Sequence, residues 1–187
     1  AITDKTKLLF AETIGNPKLD VVDIEEMAKV AHRHGIPLIM DNTVATAYLV
    51  TPIDLGADIV INSTSKYING SSNSISGVLT DSGNFSWDPE KYPGLKDYLK
   101  FGKFAFTAKL RNGLFRNTGA CMAPQTAFYN MLGMETLGLR MERVCSNAMK
   151  LAEHLSKKDG ITVNYPGLET SPWHKVAQKT LHNGYGA

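Results

Sequence analysis

The feature that most constrains the fold is a series of four short apolar runs, each followed by a turn or a polar segment. The runs are Lys7–Glu12, Pro37–Met40, Asp58–Asn62 and Ser74–Thr80. Their length and turn-rich borders are typical of buried β-strands. Between the first two, Val21–His34 has apolar residues at helical spacing and stops at Gly35, a common helix terminator. This order predicts an α/β domain with a mainly parallel, buried sheet.

The second half of the chain has a different character. Asp81–Arg116 is rich in Gly, Pro, aromatic residues and Lys, and predicts an insertion or an irregular helical stretch. Pro124–Leu155 has apolar residues at helical spacing, with a predicted break near Gly133–Gly138. The apolar run Ile161–Asn164 predicts one more short strand.

Charge and apolar content exclude several classes of protein. The net charge is +2 with the basic residues scattered, so a nucleic-acid or membrane surface is not indicated. Cys121 and Cys145 lie far apart and match no metal-ligand spacing; we expect reduced thiols in a cytoplasmic protein. The opening residues have neither an initiator methionine nor a signal-peptide core, so the chain is expected to be part of a longer one.

Polar residues with chemical potential follow two of the predicted strands. Asp41 ends one strand, and Ser63-Thr64-Ser65-Lys66 follows another. Because ligands of open α/β sheets gather at the carboxyl ends of strands, both groups could face one cleft. For pyridoxal phosphate (PLP), Lys66 would form a Schiff base and Asp41 would pair with the protonated pyridine nitrogen. Ser63 and Ser65 would point the same way if extended and bind phosphate, while Asn16 would contact the ring hydroxyl.

Each of these residues also has an ordinary structural explanation. An Asp at a strand end is more often a turn or cap residue, a Ser/Thr pair before a Lys is common in loops, and Asn-Pro is a turn former. Composition and spacing alone therefore leave PLP as one possibility among others.

Several longer motifs, in order along nearly the whole chain, resemble the Cys/Met metabolism family of PLP enzymes. They are ETIGNP (12–17), LIMDNTVAT (38–46), GADIVINSTSKY (56–67), SISGVLTDSG (74–83), NTGACMAPQTAFYNMLGMETLGLRMERV (117–144) and VNYPGL (163–168). The long segment between Ser82 and Asn117 is similar to the O-acetylhomoserine sulfhydrylase branch of that family, because the related γ-lyases and γ-synthases are shorter there.

The resemblance implies a fold, a cofactor and a set of site residues. Residues 1–138 would be the C-terminal portion of a PLP-binding large domain of the aspartate aminotransferase-like fold type I. Residues 139–187 would begin a smaller C-terminal α+β domain. The cofactor would be pyridoxal 5'-phosphate, and no metal is expected. Lys66 would be both the attachment lysine and the catalytic proton shuttle, and the other cofactor contacts would be Asp41, Asn16, Thr43, Ser63 and Ser65.

The implied activity is γ-replacement, in which O-acetylhomoserine and sulfide or methanethiol give homocysteine or methionine and acetate. The resemblance also implies a dimeric or tetrameric homo-oligomer, without nucleic-acid or membrane partners. Two alternatives stay open: a methionine γ-lyase or a cystathionine γ-synthase or γ-lyase, and an inactive remnant. Since further site residues are expected outside residues 1–187, we expect the isolated chain to bind PLP weakly and to turn over nothing.

Two details depart from the expected pattern or lack a clear role. Where the family usually reads Lys-Tyr/Phe-Ile-Gly-Gly-His-Gly, this chain has Asn69-Gly70-Ser71-Ser72-Asn73 after Ile68. The loop has thus lost a glycine and a histidine. Arg140 and Arg143 flank a helical run, and we expect them to form structural ion pairs rather than a substrate clamp.

Overall fold

A four-stranded sheet lies at the centre of the computed structural model, which describes residues 1–187. The strands stand side by side in chain order. Strands β1, β2 and β3 are parallel, whereas β4 runs antiparallel to β3 at the edge. Their bounds are Leu9–Glu12 (β1), Leu38–Asp41 (β2), Ile59–Ser63 (β3) and Gly77–Asp81 (β4). The predicted α/β class and mainly parallel sheet are confirmed.

Seven α-helices, two 3₁₀-helical segments and one π-helical turn connect and flank the strands. The helices are Ile24–Arg33 (α1), Thr46–Leu49 (α2), Ala105–Leu110 (α3), Arg116–Thr118 (α4), Pro124–Glu135 (α5), Leu137–Leu155 (α6) and His174–Thr180 (α7). Segments Pro52–Leu55 and Pro93–Phe104 are 3₁₀-helical, and Arg111–Phe115 is a π-helical turn. None of the helices has the length and apolar content needed to span a bilayer.

Helix α1 begins at Ile24, later than the predicted start at Val21, and its N-terminal cap explains the difference. The Asp23 carboxylate accepts a hydrogen bond from Glu26 N at 3.2 Å, and this side-chain cap satisfies one of the free N–H groups of the first turn. Ile24, Ala28 and Ala31 are buried on the inner face. The cap, rather than the first apolar residue of the pattern, therefore decides where the helix starts.

Two predictions about the second half have opposite outcomes. The predicted break in the long helical region is confirmed, since α5 ends at Glu135 and α6 begins at Leu137. The predicted strand at Ile161–Asn164 is wrong, because the segment is irregular and pairs with no strand. Val163 instead packs in a small cluster around Ala152 of α6, so its apolar character serves packing against a helix.

The segment between β4 and α5 folds as the predicted irregular helical stretch and carries an aromatic cluster. Trp87 stacks on Phe106, with ring centroids 5.3 Å apart, and meets the Tyr92 ring edge-on at 5.1 Å. These rings line an apolar cavity together with Ile39 and Ile59 of the sheet. The segment therefore covers part of one sheet face.

Helices α6 and α7 share the main core with the sheet. Met141 and Cys145 of α6 and Ala177 of α7 belong to the same buried cluster as Leu38 and Met40 of β2. The predicted domain boundary after residue 138 stays a prediction, and the packing here joins the residues on both sides of it.

An ion-pair cluster adds a second link between α7 and the first helix. Lys179 Nζ lies 3.0 Å from Asp23 Oδ2 and 2.9 Å from Glu25 Oε2. Burial alone would raise the pKa of Asp23, but the hydrogen bonds from Lys179 and Glu26 and the Lys179 charge lower it below its ordinary value. Helix α7 is thus held to the capped start of α1 by charge as well as by apolar packing.

The glycine in the last turn of α5 marks a close approach between this helix and the loop that follows β3. A Cβ atom at Gly133 would collide with the carbonyl oxygens of Ile68 and Asn69, whereas one at Gly138 would find the Tyr48 ring at an ordinary 3.7 Å. The helix can lie on the loop only because residue 133 has no side chain.

We therefore expect Gly133→Ala and Gly138→Ala to change the free energy of unfolding in opposite directions. Gly133→Ala should destabilise the chain by about 1–3 kcal/mol, the typical cost of overpacking. The matched control Gly138→Ala should stabilise it by up to about 1 kcal/mol, because alanine is the better helix former. Urea unfolding followed by circular dichroism measures both, and equal effects of the two substitutions would contradict the close contact.

Candidate active site

The carboxyl ends of the three parallel strands meet at one edge of the sheet, and each ends in a polar residue. β1 ends at Glu12, β2 at Asp41 and β3 at Ser63. A small cavity opens at this edge. It is lined by Glu12, Ile14, Asn16, Asp41, Thr43, Val44, Ser63 and Lys66. Five of the six site residues predicted from sequence therefore lie around one cavity, and Ser65 is the exception.

Asp41 and Thr43 are fixed by hydrogen bonds across the ends of β2 and β3. One oxygen of the half-buried Asp41 carboxylate, Oδ1, accepts from Thr43 N at 2.9 Å. The buried Thr43 Oγ1 accepts from Ser63 N at 2.8 Å. The carboxylate is therefore held in place by the turn after its own strand, and that turn is joined to the next strand.

A buried polar pair forms the support behind this edge. Thr13 Oγ1 donates to Asn42 Oδ1 at 2.8 Å, and Asn42 Nδ2 donates to Val50 O at 3.0 Å. Both side chains are almost fully buried, where an unmade hydrogen bond would be costly. The residues next to Asp41 in sequence and space are therefore rigidly placed.

Glu12 also lines the cavity, although the sequence predicts it only as the end of a strand. It stands opposite Asp41 in the β1–β2 register, and its Oε2 accepts from Asn16 N at 2.9 Å. Glu12 thus orders the loop that brings Asn16 to the cavity. Its position at a strand end, the same as that of Asp41, was the signal that could have identified it.

Ser65 is placed differently from the sequence expectation. The two serines would point the same way only in an extended segment, and this condition is not met, because β3 ends at Ser63 and a turn begins at Thr64. Ser65 Oγ donates to Ser76 O at 3.1 Å and accepts from Ser76 N at 2.9 Å. The turn directs Ser65 toward a neighbouring cavity, so alternation along a strand no longer relates the two serines. Its phosphate role stays a prediction.

Lys66 is exposed and lines two adjacent cavities, the one described above and a second, wider one that Arg140 and Arg143 also line. The prediction that these arginines form ion pairs is wrong, because neither guanidinium forms a salt bridge with a carboxylate. Arg140 instead donates from Nη1 to Tyr67 O at 2.6 Å and from Nη2 to Gly133 O at 2.7 Å. Arg140 therefore acts as a structural link between the loop after Lys66, residues 67–73, and α5.

The groups around the first cavity combine complementary chemistry. A carboxylate at Asp41 can hold a cationic heterocycle by a charge-assisted hydrogen bond. The primary amine of Lys66 can attack an aldehyde carbon, and hydroxyl and amide groups can bind the oxygens of a ligand. No group of three or more His, Cys, Asp or Glu side chains is arranged to hold a metal ion. The cavity thus suits a polar organic ligand.

Comparison with known proteins gives a consistent family for this arrangement. The family described as "Cys/Met metabolism PLP-dependent enzyme" matches residues 1–187. O-acetyl-L-homoserine sulfhydrylase of Corynebacterium glutamicum is 43% identical over 96% of this chain and 44% of its own length. Homocysteine synthase of Schizosaccharomyces pombe is 43% identical over 100% of this chain and 47% of its own length. The chain thus spans about half the length of these relatives.

Solved structures agree with this family and with the fold. A structure of O-acetylhomoserine sulfhydrylase from Wolinella succinogenes matches 99% of this chain with a TM-score of 0.88 and 40% identity, and 53% of that chain is covered. Cystathionine gamma-lyase from Lactobacillus plantarum matches 100% of this chain with a TM-score of 0.79 and 34% identity, and 44% of that chain is covered.

The Thr43 hydroxyl gives a direct test of the geometry at the cavity. Thr43→Val should destabilise the chain by about 1–3 kcal/mol, because Ser63 N–H loses its acceptor at a partly buried position. Thr43→Ser keeps the hydroxyl and is the matched control, with a smaller loss. Urea denaturation gives both values; a valine variant as stable as the serine variant would contradict the hydrogen bond.

Proposed function

The chain belongs to the Cys/Met metabolism family of PLP-dependent enzymes, and we propose that it is part of a γ-replacement enzyme. Its 187 residues contain the lysine that attaches PLP and the side chains that bind the pyridine ring. The observation that carries this proposal is the cavity shared by Asp41 and Lys66 at the carboxyl edge of the sheet. A carboxylate and an amine facing one cleft match the two reactive ends of PLP, its pyridine nitrogen and its aldehyde.

The donor set of the cavity fits PLP group by group. Asp41 would pair with the ring nitrogen and keep it protonated, and Asn16 and Thr43, which line the same cavity, would contact the ring oxygen. Ser63 lines the same cavity and donates a hydroxyl to the phosphate. Ser65 joins it there only if its hydroxyl leaves the Ser76 backbone, which makes it the weakest of the proposed contacts.

Within this proposal, the residues of the chain bind, orient and move protons. PLP, when bound, supplies an electron sink that stabilises negative charge on the substrate carbon beside the amine. Asp41 maintains the charge of the ring by a charge-assisted hydrogen bond. Lys66 Nζ takes a proton from the substrate α carbon and returns protons to neighbouring carbons as a general acid. Glu12 keeps the Asn16 loop in place through the Asn16 N–H.

The proposed substrates follow from the relatives. The matched proteins from Corynebacterium and Wolinella are O-acetylhomoserine sulfhydrylases, so we assign to the complete protein the replacement of acetate by sulfide or methanethiol. The products are homocysteine or methionine, together with acetate. Cystathionine γ-lyase activity is the alternative, and the likeness to the Lactobacillus enzyme supports it at lower identity.

We also propose that the complete protein is a homo-oligomer, a dimer or a tetramer. Large apolar side chains stand exposed along α5 and the start of α6, including Phe128 (52% exposed), Met131 (61%) and Leu139 (72%). Large exposed apolar side chains are typical of a protein–protein interface. A second copy of the protein is the proposed partner that covers them.

The attachment of PLP to Lys66 can be measured on the chain itself. After incubation with PLP and reduction with borohydride, peptide mass spectrometry should find the pyridoxyl mass on Lys66 in preference to the other exposed lysines. Asp41→Asn should weaken this attachment at least about tenfold, because a neutral amide loses the roughly 1.5–3 kcal/mol charge-assisted bond to the ring nitrogen. Asp54→Asn, an exposed carboxylate outside the cavity, is the control and should have no effect. Label spread evenly over all lysines would contradict the site.

The reaction can be tested on a protein of the relatives' full length that carries this segment. Such a protein should form homocysteine from O-acetylhomoserine and sulfide, and Lys66→Ala should abolish the reaction. Consumption of cystathionine, without sulfide-dependent homocysteine formation, would favour the γ-lyase alternative. We expect the 187-residue chain alone to show no turnover.

A further inference from the structure

The loop after Lys66, residues 67–73, is held by the buried side-chain amide of Asn69. Asn69 is 2% exposed. Its Nδ2 donates to Ser74 Oγ at 3.0 Å and to Asn130 Oδ1 at 3.2 Å, and its Oδ1 accepts from Ser71 N at 3.1 Å. A glycine at this position could form none of these three hydrogen bonds.

Asn130 of α5 connects the same loop to the turn that precedes Lys66. It is 5% exposed, and its Nδ2 donates to Ser76 Oγ at 3.0 Å and to Thr64 Oγ1 at 3.3 Å. The Thr64 and Ser76 hydroxyls are themselves 2.6 Å apart. The two asparagines therefore tie both flanks of Lys66 to one helix through a buried network, in which each bond is directional and costly to leave unmade.

The backbone closes around the lysine within this frame. Asn69 N donates to Thr64 O at 2.9 Å, and Gly70 N donates to Lys66 O at 2.7 Å. Arg140 holds the next carbonyl, that of Tyr67, at 2.6 Å. The Lys66 side chain is exposed and long, so its backbone is the part of the residue that these contacts can fix.

We propose that Asn69, paired with Asn130, is a positioning residue for Lys66, an inference that rests on the proposed function. The pair sets the turn from which the Lys66 amine reaches the cavity that Asp41 also lines. Reaction of the amine with an aldehyde depends on placement, since an error of about 1 Å can cost a hundredfold in rate.

The test compares two asparagines of the same loop in the full chain. Asn69→Gly removes the three hydrogen bonds of the Asn69 side chain. Asn73→Gly is the matched control, because Asn73 is exposed and makes no side-chain hydrogen bond. Each variant is incubated with PLP and reduced with borohydride, and the fraction of label on Lys66 relative to the other lysines is followed over time. Asn130→Ala, which removes the pair from the other side, serves as the second variant.

We expect Asn69→Gly and Asn130→Ala to lower the rate of labelling at Lys66 about tenfold, as the loss of a buried amide bond would, and Asn73→Gly to leave it within about twofold. Hydrogen exchange at Gly70 N–H should accelerate in the first two variants only. A general loss of structure would change the labelling of all lysines and the circular dichroism spectrum together, whereas loss of positioning lowers the share of Lys66 alone.

The outcomes separate this inference from the proposed function. If the unaltered chain labels Lys66 preferentially and Asn69→Gly does so equally fast, the positioning role is overturned and the proposed function stands. If the unaltered chain shows no preference for Lys66, the proposed function and the positioning role are both overturned.

Discussion

The parallel pairing of β1, β2 and β3 sets where the ends of these strands lie, and with them the side chains of the candidate site. Its hydrogen bonds continue past the strands, with Thr13 N donating to Asp41 O and Asn42 N donating to Ile61 O, each at 2.9 Å. The three segments that follow these strands therefore stay aligned where they leave the sheet. This alignment brings the end of β1, the end of β2 and the turn after β3 to one edge, where a ligand can meet side chains from all three.

Rigidity at this edge comes from buried polar groups rather than from apolar packing alone. The Thr13–Asn42 bond lies behind Asp41, and the Asn69–Asn130 bond lies behind Lys66. All buried side-chain nitrogen and oxygen atoms have hydrogen-bond partners, so the polar network costs little stability. Asp41 and Lys66, which we propose contact one ligand, are thus each supported by a separate buried amide.

Helices α5 and α6 together connect the loop after Lys66 to the main core. Gly133 allows the helix to approach the loop, and Asn130 and Arg140 then bond to it from α5 and α6. Because α6 also contributes to the main core, a change in packing around Met141 can reach the loop through one helix. Arg140, which is predicted from the sequence to form an ion pair, is one of these links.

The α/β class and the family could be predicted from the sequence, and so could Asp41 and Lys66 as candidates to hold PLP, because strand-ending polar residues and motif order are local properties. The tertiary fold sets which residues share a cavity. It separated Ser65 from Ser63 at a turn, added Glu12, and left residues 161–164 without strand partners. Those outcomes depend on hydrogen bonds between segments far apart in the chain, and neither periodicity nor spacing encodes which distant group will accept a given N–H.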